Sequence, residues 1–89
     1  MTRYSDTCRQ LRDLLTPSGW RQSWWDGAIP ARRVEMRLEC DGWRVVAVAD
    51  SHGIKAAVCR GDVVMARESF TLGEVREVAA WVSGAAGAR

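Results

Sequence analysis

The sequence predicts an α+β domain: an N-terminal helix, a four-stranded antiparallel meander and a C-terminal helix, with both helices packed on one sheet face. Three observations carry this expectation. Tyr4, Cys8, Leu11 and Leu15 recur along one stripe of a 3.6-residue period. The run Arg33-Val34-Glu35-Met36-Arg37-Leu38-Glu39-Cys40 alternates strictly between apolar and charged residues and is followed by Asp41-Gly42, the dipeptide of a two-residue hairpin turn. Phe70-Thr71-Leu72-Gly73-Glu74-Val75 then has the form of a helix start.

The first helix is expected over about Thr2–Leu15, with Asp6 near the positive end of its dipole. Thr16-Pro17-Ser18-Gly19 stops it, because proline disfavours helix before it and glycine permits a reversal. Trp20–Ala31 shows no clear period; Asp26-Gly27 and Pro30 read as turns.

A two-residue turn at Asp41-Gly42 sets the register of the first hairpin. Cys40 faces Trp43, Leu38 faces Val45 and Met36 faces Ala47, while Glu39 meets Arg44 and Arg33 meets Asp50 on the other face. Opposite charges directly across a sheet stabilise by roughly 0.2–1 kcal/mol, and a one-residue slip loses both pairs. Ser51-His52-Gly53 makes the next reversal, and Ile54–Cys59 is the third strand. Arg60-Gly61 is expected as a second two-residue turn, placing Val58 against Val63 and Ala56 against Met65, with the fourth strand over about Asp62–Ser69.

In the second helix, Thr71 is expected as N-cap, Glu74 as the reciprocal partner of a capping box, and Phe70 with Val75 as a hydrophobic staple. Leu72, Val75, Val78, Ala79 and Val82 form its buried stripe, and Ser83-Gly84 ends it. Residues 1–84 thus make one small α+β domain and residues 85–89 a frayed tail. The outer sheet face carries Val46, Val48, Ala57, Val64 and Ala66 within a rim of charge, an apolar stripe that calls for a cover. The cover is expected to be the Trp20–Ala31 segment, a second copy of the chain, or another protein.

Eighty-nine residues suffice for a single domain. Thirteen Lys+Arg against eleven Asp+Glu leave a net charge of +2, too small to imply a polyanionic partner by bulk charge. Twelve of the thirteen basic residues are arginine, which composition bias in a GC-rich genome explains as well as phosphate recognition does. No apolar run approaches the roughly 20 residues of a membrane span. The first residues lack the apolar core of a signal peptide, and the three cysteines, Cys8, Cys40 and Cys59, suit buried reduced thiols. A cytoplasmic protein without membrane association is expected.

Catalytic signatures are sparse. Asp50-Ser51-His52 has the residue types of a hydrolase triad, but a triad is spatial and adjacency argues for a turn. His52 with Cys59 as a thiol catalyst has nothing local in its support. Cys8, Cys40, His52 and Cys59 lack the closely spaced pair typical of a zinc site. Arg60-Gly61-Asp62 resembles integrin-binding adhesion motifs, although turn chemistry explains it without a ligand. No enzyme activity, cofactor or metal is expected.

The unusual feature is five tryptophans: Trp20, Trp24, Trp25, Trp43 and Trp81. Trp43 reads as core. Trp20, Arg21, Trp24 and Trp25, followed by Arg32 and Arg33, gather the two residue types most often found as binding hot spots. In the expected mechanism Trp24 and Trp25 anchor a partner, and Arg21, Arg32 and Arg33 grip its acidic surface. The competing reading places these rings in a small core. Stacked on unpaired bases, they would instead serve a nucleic-acid-binding module.

Two resemblances bear on this. The helix–strands–helix order resembles a double-stranded-RNA-binding domain, a family with three strands and with lysines at the start of its last helix. Here that turn carries Glu74 and Glu77 with only Arg76, so the phosphate grip is not carried over. Trp20-Arg21-Gln22-Ser23, Val46-Ala47-Val48-Ala49-Asp50-Ser51 and Phe70-Thr71 with Glu74 resemble, in order, short blocks of a family of small actinobacterial proteins encoded beside helix-turn-helix regulators. The stretch between Ser51 and Phe70 is longer than in that family, whose likeness implies a regulatory partner protein rather than a substrate. In size and character the chain is also similar to phage-encoded inhibitors such as anti-CRISPR proteins, which occlude a site on a host complex.

The functional expectation is therefore a non-enzymatic interaction module that docks a larger protein or ribonucleoprotein complex and acts by steric occlusion. A homodimer is a further possibility for the open sheet face, and direct nucleic-acid binding through the Trp/Arg segment is the alternative.

Overall fold

A computed structural model describes residues 3–27 and 32–86. Helix α1 (Arg3–Leu15) leads through a 3-10 turn at Thr16–Ser18 into five strands: β1 (Arg21–Asp26), β2 (Arg33–Cys40), β3 (Trp43–Asp50), β4 (Gly53–Arg60) and β5 (Val63–Phe70). Helix α2 (Val75–Ala85) follows. The strands form one antiparallel sheet in sequential order, β1-β2-β3-β4-β5.

The helix-stop chemistry acts as its residues dictate. Gly19 takes φ 95° and its amide bonds the Thr16 carbonyl at 3.0 Å, turning the chain into β1. The β2–β3 register is the expected one at every named pair, from Cys40 opposite Trp43 to Arg33 opposite Asp50. Asp41 and Gly42 both adopt positive φ, 50° and 82°, as a two-residue hairpin turn of this hand requires. Arg44 reaches Glu39 across the strands at 3.9 Å. Arg33, however, bonds Glu35 at 3.1 Å rather than Asp50, whose carboxylate instead accepts the His52 amide.

The core follows from the alternation. Val34, Met36, Leu38 and Cys40 on β2, Val45, Ala47 and Ala49 on β3, and Ile54, Ala56 and Val58 on β4 lie on one face and are buried. Cys8, Leu11 and Leu15 of α1 and Val75, Val78 and Val82 of α2 join them in a single cluster, so both helices cover the same face.

The expectations fail in four places. The sheet has five strands, not four: β1 was hidden because a bulge between Gln22 and Trp24 breaks its alternation at Ser23. The β4–β5 turn is Gly61-Asp62 rather than Arg60-Gly61, with Arg60 opposite Val63 and Gly61 at φ 59°. A second irregularity then skips Met65, so Val58 faces Ala66 and Ala56 faces Glu68, which moves Ala66 to the core face and leaves Val64 on the outer one.

Helix α2 begins at Val75, not after Thr71. Only half of the capping box forms: the Thr71 amide donates to Glu74 Oε1 at 2.8 Å, while residues 71–74 close a turn through Glu74 N–H to Thr71 O at 3.0 Å. The helix also passes through Ser83-Gly84 to Ala85, and Ala86 is buried, its amide bonded to Val82 O at 2.9 Å. The tail predicted from residue 85 therefore does not begin there; residues 87–89 lie outside the described residues, as does the Pro30 turn.

Candidate docking face

The Trp/Arg segment is divided between the two faces of the sheet. Trp20, directly before β1, is 1% exposed and belongs to the core. It cannot anchor a partner, and the expectation for it is corrected. The bulge at Ser23 puts the adjacent Trp24 and Trp25 on opposite faces, since Trp24 faces Arg37 and Trp25 faces Met36. Trp25 is half-buried against the core with the Arg9 guanidinium 5.4 Å from its ring centre. Trp24 stands on the outer face, 49% exposed, with Arg37 5.2 Å away. Arg21 is exposed on the β1 edge, and Arg32 and Arg33 are exposed where the chain enters β2. Of the six residues singled out, Trp24 alone brings an exposed ring to the outer face, with Arg21 and Arg33 at its margin.

That face carries neither helix, and β1 lies at its side instead of across it. Val46, Val48, Ala57 and Cys59 form a half-buried apolar strip down its middle, continued by Val64 at 43% exposure. On the β2 side the charges are balanced. Glu35 lies between Arg33 and Arg37, at 3.1 and 2.7 Å, and Glu39 meets Arg44. On the other side, Lys55 and Arg67 flank the strip and make no ion pair. Because Ala57 projects little between Val46/Val48 and Arg67, the surface dips there into an open groove of about 400 Å³. Sequence reading noted the strip but missed Lys55 and Arg67; their placement depends on the β5 register, which the skip at Met65 sets.

The remaining candidates do not assemble into a centre. Ser51 Oγ and Asp50 Oδ1 both approach His52 Nδ1, at 3.5 and 3.8 Å. A triad needs them on opposite ring nitrogens, so this cluster is an exposed turn. Cys8 is buried, and desolvation pushes its thiol from 9.0 up to about 11, against a smaller opposing effect of a backbone hydrogen bond at Ala49. Among the described residues no three His, Cys, Asp or Glu side chains gather as a metal site, and no helix is long and apolar enough to cross a membrane. The other rings have structural neighbours: Trp43 lies under Arg60 at 4.9 Å, and Trp81 meets Phe70 edge-on at 5.8 Å.

Comparison with protein-family models, with curated proteins and with solved structures gives no match to this chain.

Proposed function

We propose that this protein is a non-enzymatic interaction module that docks a larger protein through the outer face of its sheet. The supporting observation is the apolar strip Val46–Val48–Ala57–Val64, left open by both helices and flanked by the exposed ring of Trp24. Exposed apolar patches rimmed by charge are characteristic of interaction surfaces. Five strands spaced about 4.8 Å apart and about 26 Å long give a face of roughly 600 Å² in plan. Side-chain relief raises the accessible area towards the roughly 800 Å² per partner of a standard interface. Action by steric occlusion, as in anti-CRISPR proteins, requires only such a face and no catalytic group.

Photo-crosslinking tests the reading. A benzoylphenylalanine at Val48 is expected to capture a discrete protein in lysate of the native host, whereas one at exposed Glu77 on α2 captures none. Trp24→Ala, folded by circular dichroism, is expected to weaken capture at Val48. Equal capture from both positions, or none, overturns the proposal. Adducts that vanish on nuclease treatment and fall steeply with salt would point to the nucleic-acid alternative. A crosslinked species of twice the chain mass would identify a second copy as the cover.

A further inference from the structure

Resting on that reading, we infer that the groove between β3 and β5 receives an extended peptide segment of alternating apolar and acidic residues, added as a sixth strand along β5. Two sets of observations converge. The groove floor is apolar, formed by Val46, Val48 and Ala57, and its walls carry Lys55 and Arg67 without ion-pair partners. Glu68, also at the groove, has Oε1 turned back to accept the Ser69 amide at 3.1 Å, so the cations stay in excess.

The second set concerns the strand itself. β5 ends the sheet, so its outer backbone groups have no neighbouring strand among the described residues. Three of the large exposed apolar side chains, Val63, Val64 and Met65, cluster in its first half at 60%, 43% and 55% exposure. Strands at sheet edges are usually protected by charge, proline or a covering segment, and an unprotected one is a template for strand addition. Protection is present only in the second half of β5, where Glu68 covers the Ser69 amide. The opposite edge differs: β1 is polar over Arg21-Gln22-Ser23 and interrupted by its bulge.

Charge selects the occupant. A second copy laid groove on groove would bring two basic walls together, because an isologous contact presents the same patch twice. A strand with carboxylates at alternate positions meets Lys55 and Arg67 with those groups while its apolar residues cover Val46, Val48 and Val64. Backbone hydrogen bonds to β5 would fix its direction, and the alternation would supply selectivity.

Panning a random dodecapeptide phage library on the immobilised protein tests this. The enriched clones are expected to alternate apolar residues with Asp or Glu, and to be recovered at least tenfold less on Lys55→Glu/Arg67→Glu. Lys55→Gln/Arg67→Gln serves as a second variant in case charge reversal disturbs folding. A synthetic copy of the top clone, N-methylated at every second residue, is expected to bind in one methylation register and fail in the other. Absence of enrichment, clones without acidic residues, recovery unchanged on both folded variants, or indifference to N-methylation overturns the inference. If protein capture at Val48 persists while panning yields no acidic strand, the docking face stands and this occupant is wrong.

Discussion

Replacing Trp20 and Trp24 by alanine, one at a time, separates a ring that holds the fold from a ring that faces outward. Trp20 is 1% exposed and packed in the core cluster, so Trp20→Ala removes an indole and leaves a cavity. Truncations of buried aromatic residues cost about 3–5 kcal/mol. In a domain this small each kcal/mol lowers the melting temperature by about 4–8 °C, which gives a drop of about 15–30 °C. Trp24 is 49% exposed and touches Arg37 across 5.2 Å, an exposed cation–π contact of about 0.5–1 kcal/mol. Urea unfolding followed by far-ultraviolet circular dichroism avoids relying on the fluorescence of the residues being removed. Trp20→Ala is expected to move the midpoint strongly at unchanged slope, and Trp24→Ala by about 1 kcal/mol or less. If Trp20→Ala costs less than about 1 kcal/mol, or Trp24→Ala costs as much as Trp20→Ala, the division of the segment between faces is wrong.

Three further outcomes are expected. Cys8 has its folded-state pKa raised from 9.0 to about 11 by burial, so alkaline conditions ionise the thiol in the unfolded chain first. Its contribution is complete below pH 9 and is lost as pH rises towards 11, by about 2–3 kcal/mol; urea titrations across this range should show the loss in the parent and not in Cys8→Ala. Gly53 takes φ 114°, and a Cβ there would lie 2.3 Å from the Phe70 carbonyl oxygen, whereas at Gly42, φ 82°, nothing lies within 4 Å. Gly53→Ala should therefore cost distinctly more than Gly42→Ala, for which left-handed strain alone is about 1–2 kcal/mol; thermal melts of both variants decide it. Glu74→Ala should lose the bond to the Thr71 amide and about 0.5–1.5 kcal/mol, read from the urea midpoint.

Local chemistry made most of the fold readable. The β2–β3 hairpin needs only the alternation of residues 33–40 and two turn residues that tolerate positive φ, all adjacent in the chain. Helix α1 needs its stripe and Gly19. By contrast, β1 is an edge strand with a bulge, so its exposure pattern has no period to detect. The β5 register shifted for the same kind of reason: one skipped residue at Met65 exchanges faces for what precedes it, and no local rule announces the skip. The α2 boundaries depended on packing. A half-formed capping box delayed the start, and burial of Ala86 carried the end past Gly84.

The candidate site divides along the same line. By itself the sequence determined an α+β chain, one apolar sheet face for the helices, and a second strip, Val46 with Val48 and Ala57, that the predicted elements leave open. Only the tertiary structure decided that Trp20 is buried, that Trp24 and Trp25 part to opposite faces, and that Lys55 and Arg67 stand beside the open strip. The physical reason is that alternation and turn chemistry act between neighbours in sequence, whereas a bulge's phase and a ring's burial depend on which strand lies alongside.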